Sequence, residues 1–375
     1  MVNRFIKLLC IGGMLVVVMG CWDEKNIGEV NYPVTLAIDY KDNRYIVYVQ
    51  LLDFSNVAKQ EVKTSQPSPL FIGRGEGETF NIAIDEIYRT SQLSIDWSHI
   101  GAIIYTESVL ERGIEEVELS LSKNGEFRYT PWVFGTKESI EDILSTSGFF
   151  QLPPVYTILY RPLDLFKSYS YIEPVRLHKF ISIYSEPGGT GLIPSLQVNT
   201  SSWRQATEET LEKNVLEING VHAVSEGKYK GWLSFDDVVG LRWTQNNTER
   251  STIDIKDEES IVGTVEVEQL LTNTSVEING KNIRVDITVQ ASGMVKGLEE
   301  NLNPEEVMEL VSKQMENEIE TTYQIGIDHS IDIYNIRNKV FHKRVTPNKL
   351  GEYSFTKDSL HVNVTFLLKS MGVKK

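Results

Sequence analysis

The residue with the most distinctive chemistry in this sequence is Cys21, which directly follows a short apolar segment. Residues 8–19 carry no charge and are mostly apolar, and a short basic stretch at residues 3–7 precedes them. This run is shorter than the roughly 20 residues that a spanning helix needs, and it has the length of a secretory signal core. The thiol of Cys21 is a good nucleophile, and the small residue Gly20 gives a protease access to the bond before it. Gly20 and Cys21 are therefore the residues of this segment whose types could take part in chemistry.

The residues that end this segment have the pattern of a lipid-attachment signal. Val18-Met19-Gly20-Cys21, with an aliphatic residue and then a small one before cysteine, resembles the lipobox of bacterial lipoproteins. The resemblance implies a signal peptide at residues 1–20, cleavage between Gly20 and Cys21, and a diacylglycerol on the Cys21 sulfur. The new amino terminus can carry an N-acyl chain as well. The alternative is an ordinary signal peptide or a single N-terminal anchor helix in which the cysteine is incidental.

The composition excludes several classes of protein. The 375 residues include 37 Lys+Arg against 52 Asp+Glu, which gives a formal net charge of −15. A nucleic-acid binder needs a basic face to neutralise phosphates, and the same acidity disfavours adhesion to anionic lipid. We therefore predict no nucleic-acid partner, and membrane attachment has to come from a covalent anchor. The two cysteines, Cys10 and Cys21, both lie near the amino end, so no disulfide framework is expected.

Paired carboxylates and a serine–lysine spacing are two further patterns that suggest catalysis. Glu115, Glu116 and Glu118 can supply two acids for glycoside hydrolysis, although a solvated helix face explains them equally well. Ser120 and Lys123 have the S-x-x-K spacing of serine acyl enzymes, but the accompanying S-D-N and K-T-G motifs do not occur in the sequence. We therefore predict that the protein is not an enzyme and has no catalytic residues.

Glycines and histidines give no sign of a ligand. Gly73, Gly75 and Gly77 are interleaved with Glu76 and followed by Glu78, and acidic side chains repel phosphate, so a structural loop is predicted. The six histidines are dispersed, without an H-E-x-x-H motif or a close pair, and we predict no metal site and no cofactor. The histidines are His99, His178, His222, His329, His342 and His361.

Strands and helices alternate irregularly in the first half of the chain. Residues 34–39 and 44–53 are β-rich and flank a turn-like segment at 41–43, which predicts a hairpin. Thr79 precedes apolar residues at helical spacing and is the predicted N-cap of a helix. Residues 145–200 contain many prolines and glycines and are predicted to be a connector with some helix. The other predictions are a buried strand at 99–106, short helices at 108–122, an edge strand at 129–135 and a short helix at 139–144.

Strand signals are longer in the second half of the chain. Residues 216–233 predict a hairpin with Gly227 in its turn, and Asn279-Gly280 predicts another. Asn303 and Pro304 provide the cap and first position of a helix. Apolar residues then recur every fourth position, at Val307, Val311, Met315, Ile319 and Tyr323, and the predicted strands around this helix are 261–271, 275–278, 283–289 and 360–368.

This irregular order of elements predicts an α+β, multi-domain fold with mixed and antiparallel sheets and packed helices. The C-terminal domain is expected to be an antiparallel sheet with one long helix packed on it. After the signal peptide, we expect an N-terminal α+β domain at 21–197, a small middle domain at 198–260 and a C-terminal α+β domain at 261–375.

Several segments resemble one known family. Cys21-Trp22-Asp23 resembles the Cys-Trp-Asp start of the Ger(x)C lipoproteins, the C subunits of GerA-type spore germinant receptors. Residues 95–107 resemble the family's segment of a histidine followed by an apolar strand, and residues 191–196 resemble its loop before the middle domain. Residues 220–243 and 362–372 resemble the family's most recognisable stretch and its terminal strand.

The resemblance implies a function as well as a fold. It implies three α+β domains, no catalytic residues, integral membrane A and B subunits as partners, and a location on the outer face of the spore inner membrane. Tyr229-Lys230 lacks the acidic–basic pair of the family hairpin, so side-chain roles do not transfer there. We expect a lipid-anchored, non-catalytic subunit that docks on the membrane subunits and supports nutrient-triggered germination. The alternatives are a solute-binding or transport-accessory lipoprotein that captures the nutrient itself, and a wall-active hydrolase.

Overall fold

The computed structural model of the chain describes residues 29–52, 70–206, 211–257, 260–298 and 302–371. Most of its strands belong to two sheets, a large one built before residue 235 and a smaller one built after residue 250. The strands are β1 (Val30–Asn31), β2 (Pro33–Lys41), β3 (Arg44–Leu52), β4 (Leu70–Gly77), β5 (Ser94–Ile95), β6 (Ala102–Thr106), β7 (Trp132–Thr136), β8 (Val175–Arg176), β9 (Thr190–Asn199), β10 (Arg204–Gln205), β11 (Leu211–Glu212), β12 (Val215–Ser225), β13 (Lys228–Ser234), β14 (Ser251–Asp257), β15 (Ser260–Asn279), β16 (Asn282–Leu298) and β17 (Leu360–Ser370).

The large sheet is mixed, and within the described ranges it has nine strands. Their order is β13-β12-β9-β7-β6-β2-β3-β4, with β8 also paired to β7. Strands β2, β6, β7 and β9 run parallel, whereas the β2–β3 and β12–β13 pairs are antiparallel hairpins. The hairpins predicted around residues 41–43 and Gly227 are therefore confirmed, and Gly227 has the positive φ of +71° that its turn requires.

Three local predictions are wrong, because contacts between distant residues decide which strands are neighbours. Strand β7 lies inside the sheet between β6 and β9, not at an edge, and Pro131 precedes it without removing a ladder hydrogen bond. The strand expected at 99–106 begins only at Ala102, since Trp97–His99 form a 3₁₀ turn. Residues 191–196 were expected to form a loop, but they lie within β9.

Two helices of the first half begin at a side-chain cap. The Thr79 side chain accepts a hydrogen bond from the Ile82 N–H, which confirms the predicted N-cap, and Ser139 caps the helix predicted at 139–144 through the Asp142 N–H. The helices are α1 (Phe80–Thr90), α2 (Glu107–Arg112), α3 (Glu115–Lys123), α4 (Ile140–Ser145), α5 (Pro162–Ser168), α6 (Leu177–Ser185), α7 (Pro304–Asp328) and α8 (Ile336–His342).

Helices cover both faces of the large sheet, because successive side chains of a strand point to opposite sides. Leu36 and Ile38 of β2 belong to a core that includes residues of α1, α2, α3 and α6. Ala37 of the same strand, together with Ile104 and Phe134, packs in a separate core that includes α4. The parallel centre of the sheet is thus buried on both sides, which explains why its strands read as continuous apolar runs.

The smaller sheet has the order β14-β15-β16-β17 within the described residues. Strands β15 and β16 form a long antiparallel hairpin that turns at Gly280, whose φ is +67°, and this confirms the hairpin predicted at Asn279-Gly280. The last strand, β17, returns parallel to β16. That geometry needs a long crossover, which helix α7 and the segments after it provide.

Helix α7 packs against this sheet through the predicted stripe. Asn303 caps it, with its side chain accepting from the Glu305 and Glu306 N–H groups, while Glu306 reaches back to the Asn303 N–H. The stripe residues, all buried, are Val307, Val311, Met315, Ile319 and Tyr323.

The α+β fold class and the C-terminal sheet with a long helix are confirmed. Strands β12 and β13 continue the large sheet, and the domain boundaries at 198 and 260 stay a prediction.

Candidate functional site

The predicted lipid-attachment site lies outside the described residues. Gly20, Cys21 and the whole signal peptide at 1–20 precede residue 29, where the description begins. Within the described ranges, none of the helices combines the length and the apolar character of a membrane span. The lipid-attachment site predicted from the sequence therefore stays a prediction. Other candidate sites have to be sought on the surface and in the cavities of the folded, described part of the chain.

The carboxylates of α3 take part in packing. Glu116 accepts hydrogen bonds from the Tyr45 hydroxyl, 3.1 Å away, and from the Phe80 N–H, also at 3.1 Å, so it links α3 to β3 and α1. Glu118 is bonded to the Tyr184 hydroxyl of α6. Burial raises the pKa of Glu118 to about 7, and nearby Glu115 adds to this, while the bond from Tyr184 opposes it. These acids tie secondary-structure elements together.

The glycines at 73, 75 and 77 lie in strand β4, so the prediction of a loop is wrong. A Cβ added at Gly75 would lie 2.1 Å from the Ala83 carbonyl oxygen of α1. The absence of side chains on Gly75 and Gly77 thus lets the helix pack directly on the strand, whereas a Cβ at Gly73 would lie 2.9 Å from the Val49 Cγ2 atom of β3. The role of these glycines is steric.

The histidines are dispersed, and no group of three metal-binding side chains occurs in the part of the chain that the structure describes. His222 is buried in β12, where its Nδ1 lies 3.0 Å from the Tyr229 hydroxyl. Burial, and secondarily the charge of Lys137, lowers its pKa to about 3, so the ring is neutral at physiological pH.

A buried ion pair joins the 3₁₀ segment Asp236–Trp243 to helix α7. Arg242 is only 4% exposed, and its Nη2 lies 2.9 and 2.7 Å from the two carboxylate oxygens of Glu318. The Trp243 Nε1–H donates to the same carboxylate at 2.6 Å. The guanidinium also lies over the Tyr171 ring, 4.2 Å from its centroid. This network fixes the position of Tyr171, which forms part of the wall of the cavity described next.

An open groove of about 790 Å³ lies between α5 and strands β9 and β12. Tyr169, Tyr171 and Phe235 form an aromatic stack along one wall, with Tyr169 and Tyr171 ring centroids 4.2 Å apart and Tyr171 and Phe235 centroids 4.9 Å apart. Tyr169 is 47% exposed, and Trp203, another lining residue, is 54% exposed. These two aromatic side chains therefore offer open surface to a ligand.

The floor of the groove is a directional chain of amides that ends on a carboxylate. The Glu217 Oε2 atom accepts from Gln197 Nε2 at 2.9 Å and from Asn199 Nδ2 at 2.7 Å. Because a carboxylate only accepts, Gln197 must turn its oxygen towards Asn219, which donates to it through Nδ2 at 3.0 Å. The remaining Asn219 oxygen, Oδ1, is buried and no described residue donates to it. The chain of hydrogen bonds thus ends at this buried oxygen.

This groove was not predicted from the sequence, although one signal was present. Polar residues alternate with apolar ones at 197 and 199 and again at 217 and 219, which is the pattern of one polar strand face. The structure pairs these two strands, with Gln197 directly opposite Glu217. The aromatic wall comes from residues 169, 171 and 235, and nothing in their spacing places them beside that face.

A group of exposed aromatic side chains lies beside the groove. Phe149 and Trp203 pack with their ring centroids 4.9 Å apart, and Phe150, next to Phe149, is 94% exposed. We call Phe149, Phe150 and Trp203 the aromatic tip. Exposed aromatic clusters are enriched at surfaces that bind other macromolecules.

Comparison with known proteins gives matches along most of the chain. The family described as spore germination protein N-terminal domain matches residues 23–198, and the family described as spore germination B3/GerAC like, C-terminal, matches residues 219–372. Spore germination protein KC of Bacillus subtilis (strain 168) is 21% identical over 268 residues, which are 68% of this chain and 65% of KC. Spore germination protein B3 of the same organism is 23% identical over 342 residues, which are 89% of this chain and 84% of B3.

A solved structure has the same fold. The crystal structure of the GerBC protein superposes with a TM-score of 0.55 at 14% sequence identity, covering 89% of this chain and 96% of the other. At this identity the likeness shows a shared fold. The aligned region spans about two thirds of the length of KC and most of the length of B3.

Proposed function

Since the chain belongs to the Ger(x)C family of spore germination proteins, we propose that it is a lipid-anchored, non-catalytic subunit of a nutrient germinant receptor. It is held on the outer face of the spore inner membrane by a diacylglycerol on Cys21. Its folded body docks there on the integral membrane A and B subunits and supports the nutrient-triggered state. The observation that carries the proposal is the family match over both halves of the chain, together with the lipobox at its start.

Anchoring by lipid fits the charge of the chain. A net charge of −15 gives no attraction to an anionic bilayer, so the attachment energy has to come from buried hydrocarbon. Each buried CH₂ contributes about 0.8 kcal/mol, so two long acyl chains hold firmly where one short chain is marginal. Confinement to the membrane surface then raises the effective concentration of the body for its membrane partners.

The aromatic tip is the docking surface that we assign to a membrane subunit of the receptor. Its three rings are solvent-exposed in the isolated chain, and Phe150 is almost fully so. Burying such side chains against a partner contributes about 1.5–3 kcal/mol each, which is typical of the residues that dominate an interface.

The anchor is tested by Cys21→Ala, with Cys10→Ala as the matched control. Both variants remove one thiol from the amino-terminal segment, but only the first removes the lipid acceptor. We expect Cys21→Ala to lower the amount of protein in the spore inner-membrane fraction and to slow nutrient-triggered germination, while Cys10→Ala matches the wild type. Equal fractionation and equal germination of the two variants would contradict the proposal.

The docking surface is tested by crosslinking in intact spores. Cys21 is the one cysteine left after cleavage and its sulfur would be acylated, so an introduced cysteine carries the reactive thiol. We expect Phe150→Cys to crosslink to a receptor membrane subunit and Glu277→Cys, on the exposed face of β15, to give no such product. Equal products from both positions, or products with Glu277→Cys alone, would exclude the aromatic tip as the docking surface.

A further inference from the structure

The groove between α5 and strands β9 and β12 has the chemistry of a small-molecule site. Ligand cavities typically measure about 300–1,000 Å³ and combine apolar walls with a few convergent polar groups. This groove has about 790 Å³, an aromatic wall, and a floor of amides held by one carboxylate. The chemistry of its lining therefore indicates which ligand it accepts.

The lining is acidic. Glu217 and Asp236 both line the groove, and no lysine, arginine or histidine stands among the described lining residues. Glu217 uses its Oε2 atom to hold Gln197 and Asn199, and no described residue donates to its Oε1 atom. A ligand that donates a hydrogen bond and carries positive charge satisfies this Glu217 oxygen.

The aromatic wall adds a second preference for a cation. The faces of tyrosine and tryptophan rings attract ammonium groups, and aromatic residues beside a carboxylate form a general receptor for organic cations. The stack already holds one cation, because the Arg242 guanidinium lies over the Tyr171 ring. The exposed rings of Tyr169 and Trp203 are the ones left for a ligand.

We propose that this groove binds an organic cation, with its ammonium group on Glu217 and its apolar body against Tyr169 and Trp203. The net charge of −15 on the chain raises the local concentration of such a ligand. A saccharide could stack on the same rings, but its neutral hydroxyls would gain nothing from the net negative charge of the lining. The inference is independent of the anchor, but the groove shares Trp203 with the aromatic tip.

The charge preference is tested by calorimetry with the full chain in detergent micelles. The probes are phenethylammonium, its neutral isostere phenethyl alcohol, the anion 3-phenylpropionate, and glucose. We expect phenethylammonium to bind about tenfold or more tightly than the alcohol, which corresponds to one cation–aromatic and carboxylate contact. The anion and glucose should give no heat above dilution.

Two variants locate the binding. Glu217→Gln keeps the hydrogen-bonded frame but removes the charge, and Glu277→Gln on β15 is its control. Glu217→Gln should weaken phenethylammonium binding about tenfold and leave the alcohol unchanged, while Glu277→Gln matches the wild type. Trp203→Ser, at a half-exposed position that the core does not need, should weaken both ligands.

Several results would overturn the proposal. These are no binding of phenethylammonium, equal affinity for the cation and the alcohol, binding of glucose alone, or an unchanged affinity in Glu217→Gln. Cys21→Ala should bind phenethylammonium as the wild type does. The groove and the anchor can therefore fail separately.

Discussion

Replacing Arg242 by Met tests the ion pair that joins the segment Asp236–Trp243 to helix α7. The guanidinium donates to Glu318 through Nε and Nη2, to the Ser251 hydroxyl and to the Thr252 carbonyl. Its side chain is 4% exposed and that of Glu318 is 13% exposed, so neither charge is well solvated. Arg242→Met removes one charge and leaves the Glu318 carboxylate buried, with the Trp243 indole at 2.6 Å and the Gln314 amide at 3.4 Å as its remaining described side-chain donors.

The expected cost is large because a buried charge loses its partner. Breaking such a pair by removing one member typically costs about 3–5 kcal/mol of unfolding free energy. Arg284→Met is the matched control, since its partner Asp286 lies on the same strand face and the two side chains are 48% and 30% exposed, far more than those of Arg242 and Glu318. An exposed pair contributes less than about 1 kcal/mol.

The assay is urea unfolding of both single variants and of the double variant Arg242→Met/Glu318→Gln, followed by circular dichroism. In the double variant no charge is buried, and the glutamine oxygen can still accept from the Trp243 indole. We expect it to recover about half or more of the loss caused by Arg242→Met, as a coupled pair should. The reasoning is refuted if Arg242→Met costs no more than Arg284→Met, or if the double variant is as unstable as the single one.

Three further predictions concern the framework around the site. Glu118→Gln should stabilise the fold by about 2 kcal/mol at pH 8 but not at pH 5, measured by urea unfolding at both values. Burial raises the pKa of Glu118 to about 7, so this residue stabilises the fold only while it is protonated, and its stabilisation is lost as pH rises through that value. Equal effects of Glu118→Gln on the unfolding free energy at both pH values would contradict this reasoning. Gly240→Ala should lower the free energy of unfolding by about 3 kcal/mol in the same assay, because its Cβ would lie 2.4 Å from the Glu318 carbonyl oxygen. An unchanged free energy of unfolding would show that helix α7 can shift to accept the methyl group. Asn303→Ala should cost about 1 kcal/mol by removing the cap of α7, whereas an unchanged midpoint would assign the helix start to packing alone.

The parts of the fold that were predicted correctly depend on local chemistry. Asn303 with Pro304, the fourfold stripe after them, the Thr79 cap and the Asn279-Gly280 turn each act within a few residues. These signals determine where an element begins or how it turns, and the sequence contains them completely.

The errors come from long-range pairing. Pro194 is among the breakers that favoured a connector at 145–200, but β9 pairs on one side only until Ser195, where β7 joins it, so the missing N–H of Pro194 is tolerated. The central place of β7 depends on β6 and β9, which are far away in the chain. The parallel direction of β17 likewise depends on the path of the chain after α7, which the periodicity of the sequence does not encode.

The groove, like the strand order, could not be predicted because its residues come from distant parts of the chain. Its floor follows from two alternating strands, but its wall comes from residues 169, 171 and 235, of which Tyr171 lies against the Arg242 guanidinium. Each residue looks like an ordinary surface or core position in the sequence. A site assembled from several distant segments becomes visible only when the sheet order is known.

Mass spectrometry of the amino-terminal peptide, purified from dormant-spore membranes, tests the central proposal most directly. The account predicts a peptide that begins at Cys21 and carries a diacylglycerol on its sulfur. A retained leader, or an unmodified Cys21 on a protein that leaves the membrane in low salt without detergent, would contradict it.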